Sequence, residues 1–297
     1  MAKLVTIIGG SGFVGRAIAR AAVGAGWAVR VAVRHPENAA DMEAEAVACD
    51  IRKDADVAAA LVGAAAVVNC VGILAEGGGA SFEALQAEGA ARVARCAAAG
   101  DVEHMVQVSA IGADAASASA YARTKAAGEA GVLEQMPGAM ILRPSIVFGP
   151  GDSFFNRFAD MSKISPFVPV VGAGTRFQPV FVGDVARAVV AGLGGKGGTY
   201  EVGGPDVETF QELMTRMLEV LGRTRLVLPL PVPLGKMMGL GFETLSALSG
   251  GRIAPQITRD QVKNLANDNV VSGAYPGFDD LGITPTPMAE ILPTYLR

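Results

Sequence analysis

Short apolar segments alternate with alanine-rich segments along the first half of the chain. The first run, residues 4–8, is continuous and rich in β-branched side chains, a pattern typical of a strand that is buried on both faces. Further apolar runs lie at residues 28–33, 46–49, 66–71, 104–109 and 139–142, and the helical stretches between them at 55–62, 82–99 and 120–134. This alternation predicts an α/β fold with a doubly wound parallel sheet.

A glycine-rich turn joins the first strand to the first helix. Gly9, Gly12 and Gly15 recur at three-residue spacing. Such glycines serve a tight turn, a close approach of the backbone to a pyrophosphate, and close packing of helix on strand. The N–H groups and the positive end of the helix then receive phosphates, which makes this a predicted dinucleotide site. The residues assigned to it here are Gly9, Ser11, Gly12, Phe13, Val14 and Gly15.

The residue after the second strand predicts the kind of dinucleotide. An NAD-binding unit is expected to place a carboxylate there, about 20 residues beyond the glycines, on the ribose 2′-OH. This chain has Arg34 and His35 at that place. A guanidinium pairs with a 2′-phosphate that a carboxylate would repel, so the sequence favours NADP(H) as cofactor. After the third apolar run, Asp50 and the adjoining Ile51 are candidates for contacting the adenine of the dinucleotide. Asp50 could equally be a capping residue on the surface.

The pattern loosens after residue 150 into segments rich in proline and glycine. A strand is predicted at 179–182, a helix from Asp184, a strand at 199–202 and a helix at 209–221. We therefore expect a dinucleotide-binding Rossmann domain over residues 1–150. A smaller mixed α/β lobe is expected over residues 151–297, with some of its segments returning to the sheet.

Composition excludes several classes of protein. Of 297 residues, 51% are hydrophobic and 18% charged, which excludes a disordered chain. The net charge of −4 argues against a nucleic-acid partner. Three cysteines without a C-x-x-C pair and two histidines predict no metal site. No apolar stretch reaches ~18 uninterrupted residues, so no transmembrane helix is expected, and the start of the chain does not read as a signal peptide.

A tyrosine and a lysine open the predicted helix at 120–134. Tyr121 and Lys125 are four positions apart and therefore share a face of that helix. Lowering a tyrosine pKa from ~10 to near 7 needs about 4 kcal/mol, more than the ~1 kcal/mol of an exposed charge pair, so the pair must be desolvated beside a cofactor to act. Ser109, at the end of the fifth strand, is positioned either to polarise a substrate carbonyl or to make a structural hydrogen bond.

The glycine turn together with the pair Tyr121 and Lys125 resembles the short-chain dehydrogenase/reductase superfamily, in its extended or atypical branch. Residues 142–150 resemble the stretch that passes the nicotinamide ring in that branch, and residues 69–72 resemble its loop after strand four. The resemblance implies a catalytic set of Ser109, Tyr121 and Lys125. It adds to the cofactor-binding residues Val71, Gly72, Ile73, Tyr121, Lys125, Pro144, Ser145 and Ile146.

Three further segments resemble one group within that superfamily, the nucleotide-binding accessory subunits of respiratory NADH:ubiquinone oxidoreductase, complex I. They are residues 177–186, the proline-rich stretch 228–233, and residues 257–262. The resemblance implies a protein that holds NADP(H) tightly with little or no turnover. Its partners would be subunits near the quinone site and the membrane arm, and it would lie peripherally on the cytoplasmic or matrix-equivalent face of the respiratory membrane.

Two departures bear on catalysis. Ile8 precedes the first glycine where many active members carry threonine, and the helix at 82–99 offers Gln86 and Glu88 instead of an asparagine for a proton relay. Turnover therefore stays open at this point. The alternative is an NADP(H)-dependent reductase or epimerase acting on a quinone, a lipid or a sugar nucleotide.

The segment 234–248 predicts an amphipathic helix. Its apolar face holds Leu234, Met237, Met238, Phe242, Leu245 and Leu248, with Lys236 and Glu243 opposite. Three readings of this face stay open: packing on the core of the smaller lobe, contact with a partner subunit, or contact with interfacial lipid.

Overall fold

A computed structural model describes residues 2–249 and 257–297. Seven parallel strands form its central sheet, and they run in the spatial order β11-β6-β5-β4-β1-β2-β3. In chain order these strands are β1 (Leu4–Ile8), β2 (Ala28–Val33), β3 (Glu45–Ala48), β4 (Ala66–Asn69), β5 (His104–Val108), β6 (Met140–Pro144) and β11 (Gly198–Val202). The predicted doubly wound parallel sheet is confirmed.

Helices cover both faces of this sheet, because its strands are apolar on both sides. One face packs on α1 (Phe13–Gly24) and α6 (Val182–Leu193), and the other on α2 (Asp54–Leu61), α3 (Glu88–Ala99) and α4 (Ala120–Gln135). Alternate residues of β1 point to opposite layers, so that Ile7 joins the first cluster and Ile8 the second.

The smaller lobe is built around its own aromatic core. Phe148, Phe155 and Phe210 are buried there, and the rings of Phe154 and Phe210 stack with centroids 5.5 Å apart. The helices of the lobe are α5 (Phe155–Ile164), α7 (Phe210–Val220), α8 (Val232–Leu248), α9 (Arg259–Asn264) and α10 (Met288–Tyr295). Its short strands pair in twos: β7 (Val147–Phe148) with β10 (Val180–Phe181), β8 (Phe167–Val171) with β13 (Leu226–Leu230), and β9 (Arg176–Phe177) with β12 (Glu208–Thr209).

Most element bounds differ from the sequence predictions by one to three residues, but the helix predicted at 82–99 differs in kind. A π-helical turn at Glu83–Ala87 precedes α3. This turn brings the carbonyl oxygen of Gln86 against α4, where a Cβ on Gly128 would lie 2.1 Å from it. Only glycine fits at position 128, and no periodicity in the sequence marks such a bulge.

The division at residue 150 stays a prediction. In the structure, β11 pairs with β6 inside the main sheet, and α6 packs on α1, although both follow residue 150. Among the described residues, no helix has the length and apolar character needed to cross a membrane.

Candidate functional site

The glycine turn after β1 has the geometry that a pyrophosphate needs. Gly9 adopts φ +82°, which side-chain-bearing residues rarely adopt, and a Cβ on Gly15 would lie 2.6 Å from the Cα of Gly10. A Cβ on Gly12 would meet only the Gly9 carbonyl, at 3.4 Å. No side chain caps the N-terminus of α1, and its first turn holds no acidic residue. The uncapped N–H groups are therefore available to an anion.

The loop after β4 lies between this turn and α4. A Cβ on Gly9 would be 3.0 Å from the Val71 side chain, and one on Gly72 would be 3.2 Å from the Lys125 ammonium. Asn69 fixes the loop, since its Oδ1 accepts the Val71 N–H at 3.1 Å. The structure thus brings together four sequence-predicted positions: Gly9, Val71, Gly72 and Lys125.

Lys125 and Tyr121 lie side by side, as their spacing predicts. The Lys125 Nζ lies 5.9 Å from the Tyr121 ring centroid and donates a 3.3 Å hydrogen bond to the Val108 carbonyl. Burial lowers the pKa of Lys125 to about 8, although the Glu129 carboxylate opposes that shift. Burial also raises the pKa of Tyr121 to about 12. Burial therefore disfavours ionisation of the phenol.

Ser109 donates its hydroxyl hydrogen bond to a buried carboxylate. The acceptor is Glu129 Oε1 at 2.5 Å, and Glu129 is held in turn by Arg143 through contacts of 2.9 and 2.6 Å. Arg143 also lies 3.7 Å from Glu201. Bonding to Glu129 raises the pKa of Arg143 above its ordinary value. In this arrangement the Ser109 proton points at Glu129, so polarisation of a substrate carbonyl stays a prediction.

Gln86 and Glu88, the residues considered for a proton relay, differ in their surroundings. Gln86 is 2% exposed, and its Nε2 donates to the Ile73 carbonyl at 2.7 Å. Its Oε1 is the buried side-chain atom without a hydrogen-bond partner in the described residues. Glu88 is exposed. Only Gln86 is therefore placed beside the loop that borders Lys125.

The residues after β2 and β3 lie apart from the Tyr121–Lys125 pair. Arg34 and His35 are both exposed at the end of β2, and His35 Nδ1 lies 3.2 Å from Glu37. The Asp50 carboxylate is held by Arg52 at 2.6 Å, and this contact lowers the pKa of Asp50 to about 2. Ile51 packs in the core beneath α3. An adenine contact by Asp50 or Ile51 stays a prediction.

The stretch after β6 is fixed by a residue that the sequence did not reveal. Asn269 Oδ1 accepts hydrogen bonds from the Ser145 hydroxyl at 2.7 Å and the Ile146 N–H at 3.0 Å. The Pro144 carbonyl accepts the N–H of Ile111 at 3.0 Å. Because Asn269 follows Ser145 by 124 residues, no local pattern could have indicated this contact.

The sequence did not predict two further residues of the site, Glu129 and Asp260. Glu129 follows Lys125 by four positions, so the repeated spacing on α4 could have indicated it. Asp260 lies within the quoted segment 257–262, but only the structure shows that it contacts the start of α4. The described residues contain no group of three or more His, Cys, Asp or Glu side chains that could hold a metal ion.

Residues 5–203 match the sequence profile of the NAD dependent epimerase/dehydratase family. The chain belongs to this family. Over 95% of its length it is also 33% identical to the Arabidopsis thaliana protein "NADH dehydrogenase [ubiquinone] 1 alpha subcomplex subunit 9, mitochondrial", and it covers 74% of that protein. This similarity extends past residue 203 into the smaller lobe.

Two other proteins are also similar to this chain, one in sequence and one in fold. The Caulobacter vibrioides protein named "Ceramide reductase" is 32% identical over 63% of this chain, which spans 60% of that relative's length. The crystal structure of gox2253 superposes with a TM-score of 0.76 at 22% identity, over 98% of this chain and 96% of that one, and shows the fold alone. The predicted superfamily and the resemblance to complex I subunits are confirmed.

The cleft fits a dinucleotide. Gly9, Gly12 and the N-terminus of α1 would hold the pyrophosphate, and Tyr121 and Lys125 would hold the nicotinamide ribose. The unpartnered Oε1 of Gln86 adds a buried acceptor near the loop after β4. When bound, the nucleotide supplies hydride chemistry. The side chains around it would fix its orientation.

Gly15→Ala should destabilise the protein by about 1–3 kcal/mol, because the added Cβ meets backbone that cannot move aside. Gly24→Ala is the matched control on the same helix, since nothing lies within 4 Å of its added Cβ. It should stabilise the protein by up to ~1 kcal/mol. Urea denaturation measures both changes. Equal free energies of unfolding for the two variants would contradict the close packing of α1 on the turn.

Proposed function

We propose that the chain is an accessory subunit of respiratory NADH:ubiquinone oxidoreductase that holds NADP(H) with little or no turnover. The observation that carries the proposal is the similarity to the Arabidopsis subunit, which spans 95% of this chain rather than the nucleotide-binding part alone. The match to the epimerase/dehydratase family profile ends at residue 203, whereas the similarity to the subunit continues into the smaller lobe.

The preference for NADP(H) rests on the end of β2. Arg34 is exposed, and among residues 2–249 and 257–297 it has no ionic or hydrogen-bonding partner. The neighbouring basic residue Arg16 is already engaged by Asp41 at 2.8 Å and by the Ser11 carbonyl at 2.9 Å. Arg34 is therefore the side chain available to a 2′-phosphate.

The arrangement of the three catalytic candidates supports the proposal of low turnover. The Ser109 proton is directed at Glu129, and burial raises the pKa of Tyr121. The nearest cation to that phenol is Lys125, whose own pKa is lowered by burial. These features suit a residue set that binds a ribose better than one that transfers protons in each cycle.

The outer surface of α8 is the proposed contact with the rest of the complex. Met237 and Leu240 are 65% and 48% exposed, and Lys236 is exposed beside them. Glu243, expected on the solvent face, instead faces the protein and pairs with Arg259 at 2.7 Å. The side chains of Leu245 and Leu248 lie outside the described residues. We propose that this surface meets subunits near the quinone site and membrane arm, or interfacial lipid.

This assignment implies a location. We propose that the protein lies peripherally on the cytoplasmic or matrix-equivalent face of the respiratory membrane. Apolar side chains are also exposed on β8 and β13 of the same lobe: Phe167 is 47% exposed, Leu226 58% and Leu228 40%. Apolar areas of this kind mark interaction sites in soluble proteins.

A second candidate function is supported by the similarity to the ceramide reductase and by the retained pair Tyr121 and Lys125. In that case the chain would be an NADP(H)-dependent reductase of a lipid or quinone. Tyr121→Phe separates the two functions. Under the accessory-subunit proposal it should weaken NADPH by at most about 0.5–1.5 kcal/mol, because one hydroxyl is lost. If the wild type oxidises NADPH in the presence of ceramides or quinones, and Tyr121→Phe abolishes this oxidation, the result would instead support the reductase.

The native protein should release NADP(H) on acid treatment, as identified by mass spectrometry. Arg34→Glu should weaken NADPH binding by about 2 kcal/mol, roughly thirtyfold in Kd, because it replaces a cation beside the 2′-phosphate with an anion. Binding of NADH should change little. Lys163→Glu makes the same change of charge on the exposed surface of α5 and is the control. Recovery of NAD alone, or equal NADPH affinity in both variants, would refute the assignment.

Purification of the native complex in mild detergent tests the assembly. The chain should co-migrate with NADH:quinone oxidoreductase activity. Met237→Glu with Leu240→Glu should still fold and bind NADPH but should no longer co-migrate, because charges replace exposed apolar side chains. Val62→Glu, at an apolar residue 70% exposed elsewhere, is the control. Undiminished co-migration of the double variant would show that α8 is not the contact.

A further inference from the structure

The short helix α9 joins the loop after β4 to the start of α4. Its Gln261 Nε2 donates to the carbonyl of Leu74, in the loop after β4, at 3.1 Å. Its Lys263 Nζ donates to the carbonyl of Ala118, just before α4, also at 3.1 Å. The helix is thereby attached to both loops that lead into the site.

Between these two contacts, Asp260 caps α4 from outside its own sequence neighbourhood. Its carboxylate accepts the N–H of Ala120 at 2.8 Å, the N–H of Tyr121 at 3.1 Å and the hydroxyl of Ser119 at 2.7 Å. Ser119 then accepts the N–H of Ala122 at 3.3 Å. The first-turn donors of α4 are therefore satisfied, and a negative charge lies at the positive end of a 16-residue helix.

The other side of α9 is joined to α8. Glu243 on α8 accepts the backbone N–H of Arg259 at 2.8 Å and its guanidinium N–H at 2.7 Å. A Cβ on Gly239 would lie 2.8 Å from the Arg259 nitrogen, so the two helices approach as closely as a glycine allows. The exposed Met237 and Leu240 lie on the same helix.

We infer that Asp260 is a positioning residue that couples the outer helix α8 to the nucleotide site. It holds the first turn of α4, which carries Tyr121, and α4 also carries Lys125 one turn later. Nucleotide binding at that turn and the order of α9 and α8 then stabilise each other, because such coupling acts equally in both directions. The inference rests on the proposed function only in taking the nucleotide as the ligand.

Hydrogen exchange on the full-length chain tests the inference first without nucleotide. In Asp260→Ala, the amides of residues 120 and 121 should exchange about tenfold faster than in the wild type, the loss expected for a helix cap. Asp260→Asn retains one acceptor oxygen, so its exchange rates at these amides should lie between those of the wild type and of Asp260→Ala. Unchanged exchange at these amides in Asp260→Ala would overturn the inference, whether or not the protein binds NADPH.

The second measurement adds NADPH. The nucleotide should slow exchange in residues 236–244 and 257–264 of the wild type, and this protection should disappear in Asp260→Ala, with about a tenfold rise in the NADPH Kd. Glu243→Ala, which removes both acceptor oxygens for Arg259, should keep the protection of residues 257–264 but lose that of residues 236–244. Retained protection at both segments in Asp260→Ala would refute the coupling.

A control separates positioning from general stability. Thr209→Ala removes the side-chain cap of α7 in the smaller lobe, where Thr209 accepts the Glu212 N–H. It should lower the denaturation midpoint and leave the NADPH Kd and the exchange of residues 257–264 unchanged. An equal loss of affinity in Thr209→Ala would show that Asp260 acts only through stability. A wild type that does not bind NADPH, but whose exchange at residues 120 and 121 depends on Asp260, would refute the proposed function and leave the cap established.

Discussion

The position of α4 against the central sheet depends on one buried guanidinium. Arg143 on β6 lies between Glu129 on α4 and Glu201 on β11, and all three side chains are at most 13% exposed. Removing one partner of a buried ion pair costs about 3–5 kcal/mol, because the remaining charge loses its compensation. Hydroxyl groups complete the network, since Ser109 donates to Glu129 and Ser272 to Glu201. The network thereby fixes α4 against the sheet one turn beyond Lys125.

The same network bears on chemistry. A serine that polarises a substrate carbonyl must donate its proton to that carbonyl, whereas Ser109 donates to a carboxylate 2.5 Å away. Redirecting the hydroxyl would leave a buried anion with one donor fewer, and an unmet hydrogen bond to a charged group is costly. The burial that suits Lys125 to a bound ribose also raises the pKa of Tyr121. Under the proposed function, the same burial would favour nucleotide binding and disfavour proton transfer.

The sequence predicts the parts of the molecule that local physics determines. The apolar runs predict the strands of the central sheet. The glycine spacing predicts the tight turn at Gly9 and the close packing at Gly15. The contacts of Asn269 and Asp260 could not be predicted, because each joins residues more than 120 positions apart. The π-helical turn at Glu83–Ala87 was also missed, since it depends on the space that Gly128 leaves on a neighbouring helix.

These long-range contacts show why the two halves of the chain do not act independently. Asp260, Asn269 and Ser272 all follow the described part of α8, and they bond the start of α4, the stretch after β6 and Glu201 on β11, respectively. In many cycling enzymes a loop or lid opens in each turnover to release product. A resident nucleotide needs no such opening, and the contacts then only add to its retention. Under the proposed function, the carboxyl-terminal part of the chain would carry both the surface that meets the complex and the contacts that hold α4 and the stretch after β6, so assembly and nucleotide retention would depend on the same hydrogen bonds.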